Sequence, residues 1–100
     1  MRLTLGERHT ITSILRRYFG AQAEVLLFGS RVDDSQKGGD IDLLVDTTQN
    51  DDVFRKKLLA LSELQLALGD QKIDLIVNVS SKGMVIPGIV EEAMATGVEL

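Results

Sequence analysis

"LLFGSRVDDSQKGGDIDLLVD", residues 26–46, is the stretch that decides the fold. An apolar run ends in Gly29-Ser30-Arg31. A polar, glycine-bearing segment follows, and a second apolar run opens with Asp40 and Asp42 bracketing Ile41. Alternation about Asp42 marks a strand, in which Asp40 and Asp42 share one face and Ile41 and Leu43 the other. Two strands joined by a connection of this length can lie antiparallel. The end of the first then meets the start of the second, and Gly-Ser comes to the same sheet edge as the two acids.

Working outward, residues 4–7, "TLGE", form a capping box, with Thr4 as cap and Glu7 three residues on. Ile11, Ile14, Leu15, Tyr18 and Phe19 recur at helical spacing before Gly20, which predicts a first helix over residues 5–19. His9 falls off that apolar stripe and reads as a solvated helix residue. Strands are expected over Glu24–Phe28, Ile41–Val45 and Lys72–Val79. Residues 29–39 form a loop or short helical turn, in which Asp33 and Asp34 read as solvated polar positions and Lys37, Gly38 and Gly39 as a flexible turn. A second helix starts from Asn50 or Asp51 as cap and stops at Gly69. Pro87 suits the first turn of a third, carrying Ile89, Val90, Ala93 and Met94 to Gly97.

The expected class is therefore α/β (α+β): helices packed on a small mixed three-stranded sheet, in a single domain over residues 1–100. The second strand, second helix and third strand make a parallel unit with a right-handed crossover. That brings Asp74, near the start of the third strand, to the same end as Asp40 and Asp42. Asp74 alternates with Ile73 and Leu75, so it can face the same side as the pair.

Composition narrows the chemistry. Net charge is −4 with a pI of about 4.8, which disfavours broad binding to nucleic acid. The chain has no cysteine and one histidine, so any metal must be held by oxygen ligands, the preference of Mg²⁺ or Mn²⁺. No apolar run approaches membrane-spanning length and the N-terminus has no signal-peptide core, so the expected address is the cytoplasm.

Three converging acids repel one another, and a divalent cation removes that cost. Asp40 and Asp42 have Cα atoms about 6.5–7 Å apart, a spacing from which carboxylates can bridge two ions about 3.5–4 Å apart. Gly29 permits a sharp turn and close approach of backbone N–H groups to a phosphate. Ser30 adds a hydroxyl, and Arg31 a compensating charge. This is not a Walker A loop, because no lysine follows a G-x-x-x-x-G frame. Aspartyl-phosphatase-like enzymes carry Asp-x-Asp at a strand exit, whereas here the apolar run follows the acids. Taken singly each feature is ordinary: a turn, a strand entry, an exposed acid, an arginine paired with Asp33 or Asp34. In this order and register they point to a site.

"LLFGSR…GGDIDLLVD" followed by "KIDLIV" resembles the minimal nucleotidyltransferases of the polymerase β-type superfamily, over most of the chain and including the closing "GVEL". The resemblance implies that Gly29 and Ser30, with Arg31, hold the phosphates of a nucleoside triphosphate. It also implies that Asp40, Asp42 and Asp74 bind two Mg²⁺ ions, with Asp74 helping to activate the attacking hydroxyl. The segment between Ser30 and Asp40 is one residue shorter than the commonest spacing of the family, with Asp34 where glycine and Gly39 where serine is frequent. The implied reaction transfers AMP from ATP to a hydroxyl. Small members often accompany a HEPN-domain protein as antitoxin to its RNase, and some adenylylate it. The alternative is a catalytically silent module that neutralises such a toxin by occlusion. A transferase for small molecules such as aminoglycosides is disfavoured, because the chain has no second domain.

The second helix adds a separate clue. Phe54, Leu58, Leu61, Leu64 and Leu68 form the expected core stripe, and Leu59 and Leu66 lie about 100° or more away from it. They suggest either a wider packed groove or a hydrophobic contact with another chain.

Overall fold

The computed structural model describes residues 3–28, 41–69, 71–79 and 97–100. The order is α1 (Leu5–Phe19), β1 (Glu24–Phe28), β2 (Ile41–Thr47), α2 (Val53–Leu68), β3 (Ile73–Val79) and β4 (Val98–Glu99). The third helix expected after Pro87 lies outside the described residues.

Helix α1 begins at the expected capping box. Thr4 Oγ1 accepts from the Glu7 N–H at 3.0 Å, and Glu7 Oε1 accepts from the Thr4 N–H at 3.0 Å. Gly20 ends it with φ 107°, its N–H donating to the Arg16 carbonyl. That φ is what requires glycine here; a Cβ would meet only the mobile end of the Gln49 side chain. Ile11, Leu15 and Phe19 are buried as the stripe requires, and His9 is exposed.

Strands β1 and β2 pair antiparallel from Phe28↔Asp42 to Glu24↔Asp46, and β2 and β3 pair parallel from Ile41↔Ile73 to Thr47↔Val79. Both orientations are those expected from the sequence. The sheet is larger than expected: among the described residues it has four strands in the order β3-β2-β1-β4, because Val98 and Glu99 pair antiparallel with Leu27 and Leu26. A two-residue strand has no periodicity to read. It exists through distant bonds, including the Leu100 N–H to the Val25 carbonyl at 2.8 Å and Arg8 Nη2 to the Glu99 carbonyl at 3.1 Å.

Alternation divides the sheet into two faces. Val25, Leu27, Ile41, Leu43, Val45, Ile73 and Leu75 form the main core with Ile11, Leu15 and Phe19 of α1 and Ala60 and Leu64 of α2. The opposite face carries a second buried pair, Leu26 and Leu44, beside Phe28 and Ile76. Thr47, 3% exposed, locks α1 to β2: its Oγ1 donates to the Phe19 carbonyl at 2.6 Å and accepts from the Gln49 N–H at 3.1 Å.

Helix α2 departs from expectation at its start and in its buried face. The cap is Asp52 in the left-handed region, φ 50°, with no side-chain capping bond, rather than Asn50 or Asp51. Asp51 instead binds Lys56 Nζ at 3.3 Å, and that bond holds its carboxyl below the ordinary value. Leu61, Leu64 and Leu68 do face the core, but Phe54 is 73% exposed and Leu58 50%. The line meeting the sheet runs through Ala60 and Leu64, which displaces the other half of the apolar set outward. No helix among the described residues is long and apolar enough to cross a membrane.

Candidate active site

Asp42 and Asp74 are register partners on the parallel pair β2 and β3. Residues opposite one another on neighbouring strands project from the same face, and the strands lie about 4.8 Å apart. The two acids therefore stand side by side. Asp42 is half-buried and Asp74 exposed, so the pair opens from the sheet edge towards solvent.

The third member of that row is Phe28, opposite Asp42 on the far side of β2. Phe28 is the last residue of β1 and is followed in the chain by Gly29-Ser30-Arg31. The chain thus enters its Gly-Ser-Arg segment next to Asp42. The bond from the Ile41 N–H to the Lys72 carbonyl, 2.9 Å, fixes the start of β2 against the start of β3 and sets this register. Of the six residues singled out in the sequence, Asp42 and Asp74 are brought together. Gly29, Ser30, Arg31 and Asp40 lie outside the described residues.

Two adjacent carboxylates at a sheet edge are a donor pair that could hold a hard divalent cation, and oxygen donors suit an ion such as Mg²⁺. Among the described residues no three acidic or imidazole groups gather to hold a metal ion. Asp42 and Asp74 would supply two ligands, and Asp40, next to Ile41 in the chain, the third.

The same face carries a polar row at its other end that the sequence reading did not single out. Glu24, Asp46 and Asn78 are register partners, four residues along from Phe28, Asp42 and Asp74 and about 13 Å away at strand rise. Asn78 is 4% exposed; its Nδ2 donates to Asp46 Oδ1 at 3.1 Å, while its Oδ1 has no hydrogen-bond partner among the described residues. The signal was available, since Asp42 and Asp46 are four apart on one strand and so on one face. Beside this row is a cavity of about 310 Å³, lined by residues 19–24 and 46–49. The apolar row of Leu26, Leu44 and Ile76 lies between the two polar ends. The far end is thus a separate feature and not an extension of the acid pair.

A family model described as a nucleotidyltransferase domain matches residues 9–95. No curated protein matches the chain.

Proposed function

The chain belongs to the nucleotidyltransferase-domain family, and on that premise we propose that it transfers AMP from ATP to a hydroxyl, using Asp40, Asp42 and Asp74 as metal ligands. The observation that carries the proposal is the side-by-side placement of Asp42 and Asp74 at the edge where β1 runs into Gly-Ser-Arg. In this reading Gly29 and Ser30 bind the triphosphate through backbone N–H and hydroxyl donors, and Arg31 balances its charge. Two Mg²⁺ ions, when bound, neutralise charge on the attacking and leaving oxygens. The acceptor oxygen approaches the α-phosphorus in line. It forms a new P–O bond as the bond to the bridging oxygen breaks and pyrophosphate leaves. The hydroxyl proton passes to the Asp74 carboxylate. Positioning and charge compensation supply most of the acceleration.

The acceptor in this proposal is a HEPN-domain toxin, with this chain as its antitoxin. Incubation with α-labelled ATP, Mg²⁺ and the HEPN-domain protein should label the toxin. Asp42→Asn should reduce labelling by at least about 100-fold, the order expected when charge stabilisation of the transition state is lost. Absence of transfer from any nucleotide in a folded complex would refute it. Should Asp40→Ala with Asp42→Ala still protect cells, neutralisation proceeds by occlusion without chemistry.

A further inference from the structure

Helix α2 turns an apolar face to solvent. Phe54 is 73% exposed, Leu58 50%, Leu59 44% and Leu66 87%. At 100° per residue these four span an arc of about 140° that also holds Arg55 and Ser62. The buried residues Ala60 and Leu64 lie on the other side.

The centre of this arc is symmetric about Ser62, with Phe54 and Leu59 on its flanks. Leu58 and Leu66 stand four residues to either side of it, and Arg55 and Gly69 seven. Positions 55, 62 and 69 thus keep a heptad interval, with leucines between them, as in a short helix-pairing seam. Small residues at 62 and 69 leave room for a second helix to come close.

The charges specify the orientation of that second helix. Helix α2 has no acidic residue in its first turn and no basic residue in its last. Arg55 and Lys56 sit instead in the first turn, where the positive end of the helix dipole repels them. Lys56 is bonded to Asp51 and Gln49. An antiparallel helix would bring its negative C-terminal end to Arg55 and turn an unfavourable placement into a favourable one.

We propose that the partner is a second copy of this chain, docked α2 against α2 in antiparallel fashion about a two-fold axis at Ser62. Leu58 of each copy then meets Leu66 of the other, Ser62 faces Ser62 at the centre, and each Arg55 reaches the C-terminal turn at Gly69 of the second copy. Such an interface is isologous and closes after two subunits. The apolar stripe amounts to roughly 450 Å², within the range of a functional patch. It is about half of what one partner contributes to a standard interface. Arg55 and Gln65 border the stripe, and an interface of this size makes a weak, reversible dimer the expectation.

The test uses the full chain across a concentration series from low micromolar to hundreds of micromolar, by size exclusion with light scattering. A reversible dimer is expected. Leu66→Glu and Arg55→Glu are both at exposed positions, so thermal melts should stay close to wild type. Leu66→Glu should weaken dimerisation at least about 100-fold, because each substitution removes two symmetric contacts, and Arg55→Glu should weaken it about tenfold. The chain contains no cysteine, so Ser62→Cys provides a single thiol to report register. With oxidised glutathione it should cross-link the dimer, and Ser13→Cys on exposed α1 should not. A chain that stays monomeric throughout, including one whose stripe is taken by a different protein, overturns the proposal. So does a dimer indifferent to Leu66→Glu, or one that cross-links no better through position 62 than through 13.

Discussion

Replacing Asp74 by asparagine should make the metal-free protein more stable and deprive it of its response to Mg²⁺. Asp42 and Asp74 are register neighbours on parallel strands, which sets their Cα atoms about 5 Å apart and allows their carboxylates to come as close. Two unit charges at that distance repel by about 0.8 kcal/mol in water and about 3 kcal/mol at an effective dielectric of 20. Asp74 is exposed, so the aqueous limit is the closer one, and physiological salt trims it further. The repulsion in the metal-free protein is therefore about 0.5–1 kcal/mol. Asparagine has the shape of aspartate and leaves no cavity, so removing the charge should return that energy. For a chain of this length the melting temperature should rise by about 2–8 °C. Mg²⁺ reverses the comparison. At ten times its dissociation constant, an ion bound to the folded wild type adds about 1.4 kcal/mol, whereas the variant has lost one ligand and gains little. Thermal melts of both proteins in EDTA and in a Mg²⁺ series measure all four values. A variant no more stable than wild type in EDTA would show that the acids do not repel across the strands. An equal Mg²⁺ shift in both would show that Asp74 is not a ligand.

Two further predictions concern the opposite end of β2 and the start of α2. Thr47→Val should cost about 1–3 kcal/mol, measured by urea denaturation, because it strands the Phe19 carbonyl in a buried site without adding a cavity and also takes the acceptor from the part-buried Gln49 N–H. Lys56→Met should raise the Asp51 carboxyl towards its ordinary value of 3.8, seen by NMR titration. The sign follows from linkage: the depressed carboxyl contributes stability above its unfolded value that is lost as pH falls through its folded one. The variant should therefore lose less stability than wild type on acidification.

How far the sequence could be read depends on the range of the interaction that decides each feature. The Thr4–Glu7 capping box and the Gly20 stop are local, and α1 spans residues 5–19 as its spacing predicts. The side-by-side placement of Asp42 and Asp74 is not local, yet it was legible. Alternation settles which face each acid takes, and the chirality and parallel geometry of a strand–helix–strand unit settle the rest. Three of the missed features share a different cause. Val98–Glu99 becomes a strand only because β1 has a free side. Helix α2 has leucines around most of its circumference, so periodicity cannot say which line meets the sheet; the small Ala60, which allows close approach, marks it. Asn50, Asp51 and Asp52 are equally good caps by residue type, and the Lys56 bond to Asp51 removes one of them from contention. In each case a choice among locally equivalent options is made by a partner distant in space or on the next turn. The acid edge escapes this ambiguity because alternation fixes the face of each acid and the parallel pairing of β2 with β3 fixes the register in which Asp42 and Asp74 meet.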